Sequence, residues 1–174
     1  MLKGSGRFFG LSFAFFTLGA FLTPVSTTAQ IVDIGGHFVA NMDAREDVTW
    51  GVGPRLQLSD PMLGFSLLLT YDFYSPDCGT LQCDLDEFGL DLLWSLPMPF
   101  LLDPYLGAGL AFQKWEGRAY EGKEKDTAVT FLAGIALQGS TFERFRPFIE
   151  GKYQVSSDFP NQKVIAGGIL LSIL

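Results

Sequence analysis

Past residue 30 the chain has no apolar run of eighteen residues, so it lacks a helix able to cross a bilayer. It has one histidine and two cysteines, too few for a multi-histidine metal site, a count that argues against most metal enzymes and His-dependent triads. Basic residues are scarce. Lys3 and Arg7 take two of the 12, leaving 10 against all 19 acidic side chains beyond residue 29, a formal charge of −9. Scattered lysines and arginines on an acidic chain argue against nucleic-acid binding, which needs clustered positive charge to displace counterions from phosphates. What the chain does have is glycine (20 residues) and 14% aromatics, a composition that excludes a disordered polar segment.

The first residues follow the order of a secretory signal peptide: Lys3 and Arg7, an apolar stretch from Phe8 to Leu22, Pro24, then the small side chains Thr27-Thr28-Ala29 before Gln30. The apolar stretch is short of a hydrocarbon core as a helix. We therefore expect residues 1–29 to be a cleaved signal peptide and 30–174 a single exported domain.

The rest of the chain reads as one motif repeated. Eight segments of alternating apolar and polar or small residues, near 30–41, 46–58, 62–75, 83–95, 103–115, 126–139, 145–156 and 162–174, are separated by Gly, Pro, Asp and Ser clusters. Side chains alternate across a strand, so each segment has two faces. Leu63, Phe65, Leu67, Leu69, Tyr71 and Phe73 oppose Gly64, Ser66, Thr70 and Asp72. Val129, Phe131, Ala133, Ile135 and Leu137 oppose Thr130, Gly134, Ala136 and Gln138. Leu85 to Ser95 also fits a short amphipathic helix, but Phe88, Leu90, Leu92 and Trp94 favour a strand. Val164 to Leu174 is apolar on both parities and leaves its register open. Pro54 lacks an N–H in mid-strand, which predicts a bulge or local kink.

Either a secreted lipocalin-like barrel or a transmembrane barrel could use such strands, with opposite faces meeting water. The apolar faces of the cleaner segments carry no charge. The other faces collect Asp33, His37, Arg55, Asp72, Asp91, Glu150 and Lys152 with glycines at 35, 51, 53, 64, 89, 107, 109 and 134, as a cramped interior requires. Aromatics gather at segment ends: Trp50, Tyr71, Phe73, Phe112, Trp115 and Tyr153 towards one rim, Trp94, Phe100, Tyr105, Phe142, Phe145 and Phe148 towards the other. Two girdles suit two lipid–water interfaces. The expectation is an all-β, eight-stranded antiparallel up-and-down transmembrane barrel, with the soluble apolar-ligand barrel as the alternative.

WGVGPRLQL (Trp50 to Leu58), DPYLGAGLAFQ (Asp103 to Gln113), RPFIEGKYQ (Arg146 to Gln154) and the strand VIAGGILLSIL resemble the small eight-stranded outer-membrane proteins of the OmpA/OmpX type. The resemblance covers 30–174 and implies a bacterial outer-membrane location, contact with outer-membrane lipid and lipopolysaccharide, and insertion by the barrel-assembly machinery. Members usually end in an aromatic residue, whereas this sequence ends in Leu174. No peptidoglycan-binding domain follows the barrel, so a cell-wall anchor is not expected.

Little chemistry is expected. His37 could sit beside Asp33, Asp72 or Asp91, and some outer-membrane barrels modify lipid A with Ser, His and an acid, yet no Ser–His grouping accompanies it. We expect no enzyme, no cofactor and no resident metal. Cys78 and Cys83, in an exported chain, read as a disulfide shaping one loop, with metal binding beside Asp77 and Asp84 as the weaker alternative. Asp84, Asp86 and Glu87, and the mixed-charge stretch Glu116 to Asp126, read as solvated loop surface, the sharper reading being cation bridging to lipopolysaccharide phosphates. Inside, Arg55 and Lys152 should offset Asp33, Asp72, Asp91 and Glu150 in a plugged, non-conducting lumen of a monomer.

Overall fold

The computed structural model describes residues 31–42, 48–60, 62–75, 84–96, 101–116, 124–137 and 144–173. They form eight strands: β1 (Ile31–Met42), β2 (Val48–Asp60), β3 (Phe65–Tyr74), β4 (Asp84–Ser95), β5 (Leu102–Glu116), β6 (Lys125–Leu137), β7 (Phe145–Ser156) and β8 (Gln162–Ser172). Each pairs antiparallel with its chain neighbours, and β8 closes on β1. Closure removes both edges, so every strand has a hydrogen-bonded neighbour on each side. Among the described residues no helix is long and apolar enough to cross a membrane.

The register fixes the barrel's shape. Stepping across partners from Ile31 leads through Ser59, Ser66, Leu93, Gly107, Leu132, Lys152 and Val164 back to β1 at Asn41, ten residues further on. With strands spaced ~4.8 Å and rising ~3.3 Å per residue, a shear of ten over eight strands sets a tilt of about 40° and a backbone radius of about 8 Å. A twelve-residue strand at that tilt stands about 30 Å tall, enough to cover an apolar band of ~25 Å. The interior is narrow enough for side chains to fill.

Alternation decides which residues fill it. Even positions of β3, β6, β7 and β8 and odd positions of β1, β2, β4 and β5 point inward. The register of β8, open in the sequence, is thereby settled: Val164, Ala166 and Leu170 are buried while Ile165 and Ile169 face out. The outer wall is a continuous apolar surface including Phe38, Trp50, Leu67, Leu92, Trp94, Phe131 and Ile149. Trp50 is 67% exposed, whereas Glu87 is 1% and Gln154 0% exposed. A water-soluble fold would invert these values.

The structure narrows one local expectation, from a bulge or kink at Pro54 to a break in one ladder, and corrects another. Around Pro54 no residue is inserted, since Val52 pairs with Phe73 and Arg55 with Thr70, three positions on along both strands. The β2–β3 ladder omits the intervening pairs, while Pro54 stays in register with Gly36 of β1. The missing N–H is therefore absorbed by a local gap. Gly64 does not line the interior: it closes the β2–β3 turn at φ 68°, a left-handed conformation that glycine adopts without a Cβ penalty. Asp60 caps that turn, accepting from the Met62 and Leu63 amides through Oδ1.

Candidate functional site

The interior is stacked in layers between a proximal end, where β1 begins and β8 ends, and a distal end. At the proximal rim Arg146 on β7 binds Asp33 of β1 and Asp103 of β5, each at 2.9 Å, and Ser172 also donates to Asp33. Above this lies an apolar layer of Leu68, Leu93, Tyr105, Leu132, Ala136, Phe148 and Leu170.

The middle layer holds the charges. Arg55 Nη1 sits 2.8 Å from Glu150 Oε1, and Lys152 Nζ approaches the same oxygen at 3.8 Å. The Tyr105 hydroxyl donates to Glu150 Oε2 at 2.8 Å, and the Arg55 guanidinium lies 4.1 Å above the Phe148 ring. His37 Nε2 is 2.7 Å from Asp72 Oδ1, and Thr130 donates to Asp91. Low dielectric strengthens these contacts but makes each charge costly to bury, so they persist only as a network.

A glutamine layer follows. Gln113 and Gln154 each donate to one oxygen of Glu87, at 2.8 and 2.7 Å, and Asn41 donates to Gln162 at 2.6 Å, which in turn meets Gln113. Val39, Tyr74, Leu85, Val164 and Ala166 pack around it. At the distal end the β7–β8 connection packs inward: Asp126 accepts from the Ser157 hydroxyl and the Phe159 amide, and Phe159 stands edge-on to Trp115.

All seven residues expected inside (Asp33, His37, Arg55, Asp72, Asp91, Glu150 and Lys152) are buried there, and Arg55 and Lys152 meet Glu150 while His37 meets Asp72, as expected. Asp33 belongs to the proximal rim with Arg146, not to Arg55 or Lys152. Glu87, read as loop surface, is buried, leaving Asp72, Glu87, Asp91 and Glu150 against Arg55, Lys152 and His37. Acid is in excess. Glu87 shares its parity with Leu85, Gly89 and Asp91, and that alternation was the signal.

Of the girdle residues, Trp50, Tyr71, Phe73, Trp94, Phe112, Phe145 and Tyr153 face out. Tyr105 and Phe148 face in, and Trp115 packs against the distal interior cluster, because each falls on the inward parity of its strand. Phe100 and Phe142 lie outside the described residues, as do Cys78 and Cys83 of the expected disulfide and residues 1–29, expected to be a signal peptide. Among the described residues no group of three His, Cys, Asp or Glu side chains is placed to hold a metal.

No family model matches the sequence. No curated protein matches it either. Solved structures do match in fold. Neisserial surface protein A superposes with a TM-score of 0.59 at 12% identity, covering 86% of this chain and all of that one. The N-terminal β-barrel domain of Pseudomonas aeruginosa OprF gives 0.54 at 18% identity, over 82% of this chain and all of that one. Ail, the attachment invasion locus protein of Yersinia pestis, gives 0.50 at 12% identity, over 82% and 95%. The chain has the all-β, closed eight-stranded fold of small outer-membrane barrels.

Proposed function

We propose that this chain is an integral outer-membrane protein of a diderm bacterium, working through its external loops and the lipid around it rather than by catalysis or conduction. The observation that carries the reading is the inverted wall: Leu, Ile, Phe and Trp side chains outside, and Arg55, Lys152, Glu150 and Glu87 inside. An outer face this apolar suits hydrocarbon and would drive aggregation in water. A soluble barrel holding an apolar ligand needs an apolar interior, and here the centre is ionic.

The filled layers support a lumen closed to solutes. His37 is 4% exposed, facing Asp72 and Phe148, which leaves no approach for a lipid substrate and favours a role that is not enzymatic. One barrel of the same fold is named for attachment and invasion, which fits a role carried by loops. Insertion would use the barrel-assembly machinery, and the unit would be a monomer.

Fractionation of an expressing bacterium, with electrophoresis of heated and unheated samples, tests this. The barrel should sediment with the outer membrane, require detergent and shift mobility on boiling. Recovery in the soluble periplasmic fraction would contradict it. In planar bilayers the purified protein should open no stable channel.

A further inference from the structure

The outer wall is apolar all round but not filled all round. Across β5 to β8 runs a groove of about 500 Å³, with Ala133 and Gly151 on its floor and Leu106, Ile135, Ile149 and Ile165 along it. Gly151 is not small by necessity: a Cβ added there meets nothing within 4 Å. On β3 and β4 large side chains stand in such outward positions, as Leu69 and Leu90 do, whereas small residues also face out at Ala108 on β5 and Gly167 on β8. A notch open to hydrocarbon forfeits dispersion contacts unless a flexible chain lies in it.

The register places a lysine one outward row distal to this notch. Ala133, Gly151 and Ile165 form one cross-strand row, and Phe131, Tyr153 and Lys163 form the next outward row on the distal side. Lys163 is exposed, and Tyr153 accepts a hydrogen bond from the Asn161 amide at 3.3 Å. A cation beside an aromatic hydroxyl and an amide at the distal rim suits a phosphate of the facing leaflet. Because strands tilt, the groove descends from Ile165 to Leu106 over about 15 Å, three strand spacings, into the bilayer interior.

We propose that this wall binds one phosphorylated, multiply acylated lipid of the external leaflet, its phosphate at Lys163 and one acyl chain in the groove over Gly151 and Ala133. The proposal rests on the outer-membrane reading above and names the lipid contact within it. Neither half suffices alone: Lys163 gives charge without depth, and the groove gives depth without orientation.

The full chain, expressed in a bacterium with an outer membrane and extracted in mild detergent, would be titrated with diphosphoryl lipid A and followed by native mass spectrometry. We expect one lipid bound per barrel. Lys163→Glu and Gly151→Leu should each weaken binding by about tenfold or more, the second by filling the groove. Leu69→Ile on the far wall should leave binding unchanged, and all three variants should keep the boiling-dependent mobility shift. Equal binding by wild type and both site variants, or loss with Lys163→Glu alone, overturns the site. So does equal competition by phosphatidylglycerol, or a protein dimer that Gly151→Leu dissociates. Absence of the mobility shift in wild type would instead bring down the outer-membrane reading, and this proposal with it.

Discussion

Arg55 and Glu150, from strands that are not neighbours in the barrel, meet across the lumen at 2.8 Å with both side chains sealed from solvent. The pair ties β2 to β7 through the interior, where no backbone hydrogen bond can. Truncating one partner strands the other. We expect Glu150→Ala to destabilise the barrel by about 3–5 kcal/mol, and the paired Arg55→Met, Glu150→Leu variant to recover only part of that loss, because Lys152 and the Tyr105 hydroxyl also lose Glu150. Denaturant titration of the folded fraction in detergent, read from mobility, measures both.

The glutamine layer gives a smaller effect. Glu87 presents two acceptor oxygens to two amide donors. Glu87→Gln keeps the shape but replaces one acceptor with a donor facing a donor, leaving a buried amide unpaired. A loss of about 1–3 kcal/mol is expected in the same titration, and an unchanged midpoint would contradict the arrangement.

Glycines on opposite faces should behave differently. A Cβ at Gly109 would strike the Leu90 carbonyl oxygen and the Asp91 carboxylate, whereas at Gly36 the nearest atom is a carbonyl oxygen 3.7 Å away. Gly109→Ala should cost about 1–3 kcal/mol or prevent folding, and Gly36→Ala should be tolerated. Refolding yield into detergent separates the two.

Much of this was legible beforehand because alternation is a local property. Strand count, inward residues such as Asp72 and Lys152, and outward ones such as Trp50 and Phe73 follow from parity alone. Partners do not. That Asp33 meets Arg146, 113 residues away, depends on the shear that brings β1 beside β8 and β8 beside β7. Glu87 was hidden by its acidic neighbours Asp84 and Asp86, which made a strand beginning look like a loop. Tyr105 and Phe148 face inward against the girdle pattern because nearness to a strand end says nothing of which face a ring occupies.

A charge placed on the wall should report the hydrocarbon directly. Leu90 points outward at mid-height, between Leu69 of β3 and Leu110 of β5. Leu90→Arg should cost about 2–4 kcal/mol for a barrel folded in lipid. On a surface facing water the same change would be nearly neutral.

The orientation of the wall is most directly measured by light. The sequence has three tryptophans, of which Trp50 and Trp94 project outward and Trp115 packs against the interior cluster. In a Trp115→Phe barrel reconstituted into vesicles whose acyl chains carry bromine, emission from Trp50 and Trp94 should be strongly quenched. Emission as bright as in unbrominated vesicles would mean that these rings never meet lipid, and the account would fail.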